Sequence, residues 1–258
     1  MENNLILASD LDNTLLFSKK HAAPQDICVE LYQGRPQGFF TPRTIELLHS
    51  IKEEIFFVPV TTRSIAQYQR ITWPAGCESE YAVTTNGAVL LHNGEQDREW
   101  QERAEAVIAP WREEIARLFA LYENDERFEL CRIVDGAYLF VARPDATDAA
   151  EYAARCQQET ELTVVASGRK IYFFPPQLSK GWAVQELRRR FGKEESKILA
   201  AGDSTIDIPM LEAADCAFVS DTDLAAKMKK AAPVRVRTED MHFAEFVLGE
   251  TLKLATTN

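Results

Sequence analysis

Two aspartates two residues apart, in Asp10-Leu11-Asp12-Asn13-Thr14, follow directly on an apolar run at the start of the chain. Close carboxylates at a strand end repel each other and call for a cation or a shared proton. If the strand geometry continued, both side chains would face the same way, because the side-chain period of a strand is two. In isolation the pair reads equally as a turn or helix-capping motif. Three other polar groups stand in comparable places. Thr61-Thr62-Arg63-Ser64 follows the second apolar run, where hydroxyls and amides hold phosphate oxygens or cap a helix. Lys180 opens an amphipathic stretch, a common place for a solvated lysine. Asp203 follows an apolar run and a glycine in Gly202-Asp203-Ser204, and Asp207 lies four residues on, within reach of the same face if a helical turn begins there.

The elements that must position these groups are visible as apolar runs at residues 5–8, 55–60, 81–84, 198–201, 217–219 and 234–236. Amphipathic stretches at 43–52, 183–191 and 224–230 lie between them. This alternation predicts βαβ units: an α/β fold with a doubly wound, Rossmann-like parallel sheet. Ligands of such sheets bind at the carboxyl ends of the strands, which is where the aspartates and Thr61 fall, while Lys180 stands at a helix start. The middle of the chain differs. Helical spacing over 100–122, kinked at Pro110, precedes two hairpin signals, Asp135-Gly136 and Ser167-Gly168-Arg169, with a further helix over 147–158. The order α-β-β-α-β-β predicts an inserted, smaller α+β domain over 88–174, with 1–87 and 175–258 forming the core.

Composition bounds the rest. With 258 residues, 46% hydrophobic and 27% charged, the chain can bury a sizeable core. A net charge of −11 argues against nucleic acid or an anionic membrane as partner. Five scattered cysteines without CxxC spacing read as free thiols, neither disulfide framework nor zinc site. No basic leader and no apolar run near ~20 residues is present, so a cytoplasmic, soluble protein is expected, monomeric or weakly homo-oligomeric.

The order DLDNTL, Thr61, Lys180, GDSTID resembles the four signature motifs of the haloacid dehalogenase superfamily, over about 1–87 and 175–258. The insert matches the position of that superfamily's C2 cap, and its pattern resembles the sucrose-phosphate phosphatase-like branch. The resemblance implies that Asp10 is the nucleophile forming an aspartyl-phosphate and that Asp12 is the general acid and base. It implies phosphoryl-oxygen binding by Thr61, Thr62 and Lys180. It also implies Mg²⁺ held by Asp10, Asp203 and the Asp12 carbonyl, with Asp207 in its outer shell. Two positions depart from the usual pattern: Thr62 replaces a glycine, and Ile206 replaces an asparagine.

Specificity is expected from the insert and the edge it faces, with Asn86, Arg63, Arg132, Arg169, Lys170 and Tyr172 as candidate substrate contacts. The expected substrate is a small phosphate ester rich in hydroxyls: a sugar phosphate, a phosphorylated sugar acid or a glycoside. The stretch from Thr61 to Ile71 more loosely resembles hydrolases that would favour a ribosyl or nucleoside-like phosphate. A phosphomutase and a receiver-like phospho-aspartate signalling domain are the competing readings.

Overall fold

The structure, a computed structural model, describes residues 5–229, 233–238 and 241–256. Its centre is a five-stranded, wholly parallel sheet in the order β15 (Val234–Val236), β14 (Cys216–Val219), β13 (Lys197–Gly202), β1 (Leu5–Ser9), β5 (Phe56–Pro59). Residues alternate cleanly between its faces. Ile6, Ala8, Val58, Ile198, Ala200 and Ala217 pack toward Val184, Leu187 and Met210 of α6 (Lys180–Phe191) and α7 (Ile208–Ala213). Leu5, Leu7, Phe57, Leu199 and Phe218 face Leu48 and Ile51 of α1 (Pro42–Glu54) and Val247 and Leu248 of α9 (Phe243–Ala255). The doubly wound α/β expectation is met. The expected stretch at 224–230 is helical as α8 (Thr222–Lys227), while Lys230 lies outside the described residues.

The chain enters the sheet at β1, builds outward to β5, and returns to the opposite side of β1 with β13. That places a topological switch point, and hence a crevice, at the carboxyl end of β1. Two further units border the crevice. One, not evident in the sequence, is a three-stranded antiparallel sheet in the order β2 (Phe17–Ser18), β4 (Arg35–Phe40), β3 (Ile27–Tyr32). The apolar run at 81–84 does form β6 (Tyr81–Thr84), but it joins the parallel sheet only through the single bridge Val60–Val83. Its regular partner is β7 (Val89–His92), followed by β8 (Glu95–Gln96), an antiparallel ribbon.

The second unit follows the αββαββ pattern. Helix α3 (Arg98–Ile108) passes through a 3-10 turn containing Pro110 into α4 (Arg112–Tyr122), then β9 (Leu130–Val134), β10 (Tyr138–Ala142), α5 (Ala149–Cys156), β11 (Thr163–Ser167) and β12 (Lys170–Phe174). Asp135 (φ 44°) and Gly136 (φ 71°) are both left-handed, the turn that fits the twist of a two-residue hairpin. One face of this antiparallel sheet buries Leu139, Val141, Ile171 and Phe173 against Ile115, Leu118 and Ala153 of the helices. The other face, with Arg132, Tyr138, Phe140 and Tyr172, looks toward the carboxyl end of β1. No helix among the described residues is long and apolar enough to cross a membrane.

Candidate active site

Beyond Ser9 the strand does not continue. The Leu11 carbonyl accepts from the N–H groups of Thr14 (3.2 Å), Leu15 (3.0 Å) and Leu16 (2.8 Å), and Asn13 turns the chain with φ 60°. Leu11, Leu15 and Leu16 are buried beneath this tight turn and fix it. This tight turn, which begins one residue after the last ladder bond (Asp10 N–H to the Ala201 carbonyl, 2.9 Å), sets the two aspartates apart. Asp10 points inward and is only 6% exposed, whereas the Asp12 side chain keeps half its surface open to the crevice.

Asp10 Oδ1 receives the Lys180 ammonium at 2.5 Å, and the same ammonium reaches Asp207 Oδ1 at 2.6 Å. Lys180 is thus no solvated surface group. It is buried at the first turn of α6, whose start is capped by the Ser179 hydroxyl accepting from Trp182 N–H at 3.1 Å. Burial disfavours its charge, but the two carboxylates more than offset this and raise its pKa. The Thr14 hydroxyl, which sequence reasoning did not single out, lies 3.4 Å from Asp10 Oδ2 and 3.3 Å from Asp203 Oδ1. Asp207 also uses its second oxygen to accept from the Ser204 N–H (3.0 Å) and hydroxyl (2.9 Å), closing a capping box. A Cβ on Gly202 would stand 2.6 Å from the Asp207 Cγ, so only glycine fits there.

Asp10, Asp203 and Asp207 offer oxygens that all lie within 4.8 Å of one another. Burial raises the Asp10 carboxyl well above its usual range, with Asp207 and Asp203 adding to the push against the pull of Lys180. Burial likewise brings Asp203 up to about 6, with Asp207 the next cause. Three carboxylates set against one ammonium leave an excess of negative charge, and hard oxygen donors of this kind suit Mg²⁺. Asp207 has both oxygens in bonds of 3.0 Å or less, whereas Asp203 meets only the Thr14 hydroxyl and Asp10 Oδ2 meets that same hydroxyl at 3.4 Å, so Asp203 and Asp10 Oδ2 offer the freer oxygens. Ile206, at the position where an asparagine is usual, is buried in the main core and contributes no polar contact.

Asp12 has a different partner. Arg63 grips it with two bonds, Nε to Oδ2 at 2.9 Å and Nη2 to Oδ1 at 2.7 Å. Burial pushes the Asp12 carboxyl up, but these bonds and the Arg63 charge outweigh it and hold the group below its ordinary value. Arg63 Nη2 also meets Glu30 Oε2 at 2.8 Å, and Arg70 takes Glu30 Oε1 at 2.9 Å. Glu30, wholly buried on β3, went unnoticed in the sequence. Arg63 is therefore occupied in positioning Asp12 and is not free for substrate.

The Thr61 hydroxyl accepts from the Arg63 N–H at 3.1 Å, which orients its own proton for donation. The Thr62 carbonyl receives the Tyr138 hydroxyl at 2.6 Å, tying the antiparallel sheet to the core. A second tie is Asp135 Oδ2, which accepts from the Thr85 hydroxyl at 2.5 Å and from the Ile65 N–H at 3.0 Å, at the start of α2 (Ile65–Tyr68). Asn86 is not on the crevice wall: it is 2% exposed and its amide donates to the Leu178 carbonyl at 3.3 Å. The crevice itself encloses about 420 Å³, within the ~300–1,000 Å³ typical of small-molecule sites. Asp12, Thr62 and Arg63 border it on the core side, and Arg132, Phe140, Arg169, Lys170 and Tyr172 on the other.

Residues 121–234 match the family model described as haloacid dehalogenase-like hydrolase. A phosphoglycolate phosphatase of Methanoculleus marisnigri is 47% identical over 53 residues, a segment that makes up 20% of this chain and 23% of that protein. The sucrose-phosphatase of Synechocystis, solved with sucrose and phosphate, superposes with a TM-score of 0.67 at 18% identity over 98% of both chains. The C-terminal domain of trehalose-6-phosphate phosphatase from C. albicans superposes with a TM-score of 0.62 at 16% identity, over 98% of this chain and 92% of that one. At such identities the likeness is one of fold.

Proposed function

We propose that this chain, a haloacid dehalogenase-like hydrolase, is a phosphatase that removes phosphate from a small sugar phosphate through an aspartyl-phosphate. The observation that carries the reading is the buried Asp10, bonded to Lys180 and two residues from Asp12, which lines the polar crevice. Lys180 engages Oδ1 of Asp10 and leaves Oδ2 as the attacking oxygen. As the Asp10–phosphorus bond forms, the bond to the sugar oxygen breaks, and that oxygen takes a proton from Asp12. Water then attacks the phosphoryl group and gives its proton to Asp12, which returns the enzyme to its starting form. Both Arg63 bonds go to the ionised form of Asp12, so the geometry favours the water-activating half of the cycle. Lys180 and the Thr61 hydroxyl stand where they can meet phosphoryl oxygens, and charge neutralisation is most of what this transfer requires.

Mg²⁺ is the proposed cofactor, with Asp10 and Asp203 as ligands, Asp207 behind them, and the residues from 88 to 174 serving as a C2-type cap. A divalent cation there would offset phosphoryl charge that Lys180 alone, already shared between two carboxylates, cannot. Purified protein with Mg²⁺ should hydrolyse p-nitrophenyl phosphate, and both EDTA and Asp10→Asn should lower turnover at least a thousandfold. Undiminished turnover by Asp10→Asn would remove the proposed mechanism.

A further inference from the structure

Resting on that phosphatase reading, we infer that the alcohol part of the substrate carries a second anionic group, a carboxylate or another phosphate, bound by Arg132 and Lys170. The antiparallel sheet's contribution to the crevice contains three cations, Arg132, Arg169 and Lys170, and no carboxylate. That is notable in a chain with 40 acidic and 29 basic residues. Arg169 is neutralised nearby, since it pairs with Glu129 and donates to the Arg143 carbonyl at 2.8 Å. Arg132 and Lys170 have no ion-pair or hydrogen-bond partner among the described residues, and the Arg132 Nε is buried without an acceptor. A buried donor left unpaired is costly and marks a place where a ligand atom belongs.

Register places the two cations on one face of the sheet, in adjacent rows and on either side of β10. Arg132 pairs across the sheet with Phe140, and Phe140 with Tyr172; one step further, Ala142 pairs with Lys170. The row of Arg132 lies two residues, roughly 7 Å, along the strand from Tyr138, which is bonded to the Thr62 carbonyl. The guanidinium stacks at 5.1 Å over the Phe140 ring, which holds its plane. Asp12, the proposed proton donor to the leaving oxygen, lines the same crevice as Lys170 and Arg132. The phosphoryl group belongs on the Lys180 side, so the free cations face the leaving alcohol. A neutral sugar would bring no counter-ion to the half-buried Arg132, whose Nε lacks an acceptor, or to the exposed Lys170.

Binding decides this without relying on turnover. In the Asp10→Asn protein, calorimetry is run with glucose 6-phosphate, 6-phosphogluconate and fructose 1,6-bisphosphate, the last two separating carboxylate from phosphate as the second anion. At least one of them should bind tenfold or more tighter than glucose 6-phosphate. That margin should shrink to under threefold in Arg132→Gln or Lys170→Gln, with partial recovery in Arg132→Lys. Two substitutions on separate strands guard against a single misfolded variant. Equal affinity for the three ligands, or a margin that survives both substitutions, overturns the inference. Hydrolysis of p-nitrophenyl phosphate by the wild type tests the phosphatase reading separately.

Discussion

Replacing Asp203 by asparagine should stabilise the metal-free protein at neutral pH while removing its activity. The folded-state pKa of Asp203 is raised to about 6 from 3.8, burial being the largest cause and Asp207 the next. A carboxyl of this kind holds its proton more tightly folded than unfolded. It therefore favours folding at pH values below its unfolded pKa, and that contribution is lost as pH rises through about 6. At about 1.36 kcal/mol per pKa unit, a shift of roughly two units amounts to about 3 kcal/mol carried against folding at pH 7.5. Asparagine has the same shape and no charge, but its amide must find partners in the same place, which costs about 1 kcal/mol or more. The net expected gain is about 1–2 kcal/mol. Urea unfolding in EDTA at several pH values measures it. The variant should exceed the wild type at pH 7.5, and the two should converge toward pH 4. Mg²⁺ at a hundredfold over its Kd should then add about 2.7 kcal/mol to the wild type and far less to the variant. A variant less stable than the wild type across the whole pH range, or equally stabilised by Mg²⁺, would refute both the electrostatic argument and the ligand assignment.

Arg63→Gln should release Asp12, so that the acidic limb of kcat/KM for p-nitrophenyl phosphate moves to higher pH. The same change leaves the wholly buried Glu30 with Arg70 alone and should cost about 3 kcal/mol in urea unfolding. Asp135→Ala removes the acceptor of the Thr85 hydroxyl and Ile65 N–H, and should lower kcat/KM about tenfold, with faster amide exchange at the β9–β10 turn. Gly202→Ala would drive a methyl into Asp207 and displace its carboxylate from Lys180; turnover should fall at least tenfold, read by steady-state hydrolysis.

What was legible in the sequence was whatever a parallel sheet makes inevitable. Asp10, Thr61 and Asp203 each follow an apolar run, so a sheet of parallel strands brings them to one edge whatever their separation along the chain. Lys180 was harder, because nothing local distinguishes a buried lysine at a helix start from an exposed one. Its identity rests on two carboxylates that come from other strands. Glu30 was invisible for a physical reason as well. Its strand pairs with β4, which begins Arg35-Pro36-Gln37-Gly38 and shows neither period two nor a turn signal strong enough to define this small sheet. Asp135 was read as a turn residue, and it is one; that its side chain also ties the hairpin to the core depends on the docking of two units, which no local pattern encodes. Asn86 was misjudged because β6 leaves the parallel sheet after one bridge, so its end points into the packing around Leu178 and not into the crevice.

The site separates its charges by depth, and that separation gives each aspartate its task. Asp10 and Asp203 lie below, where burial raises their carboxyls against the pull of Lys180, so the fold itself disfavours their ionised forms. Asp12 lies two residues from Asp10 yet at the surface of the crevice, where Arg63 keeps it ionised. The tight turn over Leu11 is what parts the two, since an extended chain would have set both carboxylates on one face and coupled their titrations. A nucleophile must be shielded from water until it attacks, whereas a proton carrier must reach both the leaving alcohol and the incoming water. On the proposed mechanism the three leucines under that turn would serve catalysis without touching substrate: softening them, as in Leu15→Ala, should let Asp12 drift toward Asp10 and blur the pH-rate profile before it unfolds the protein.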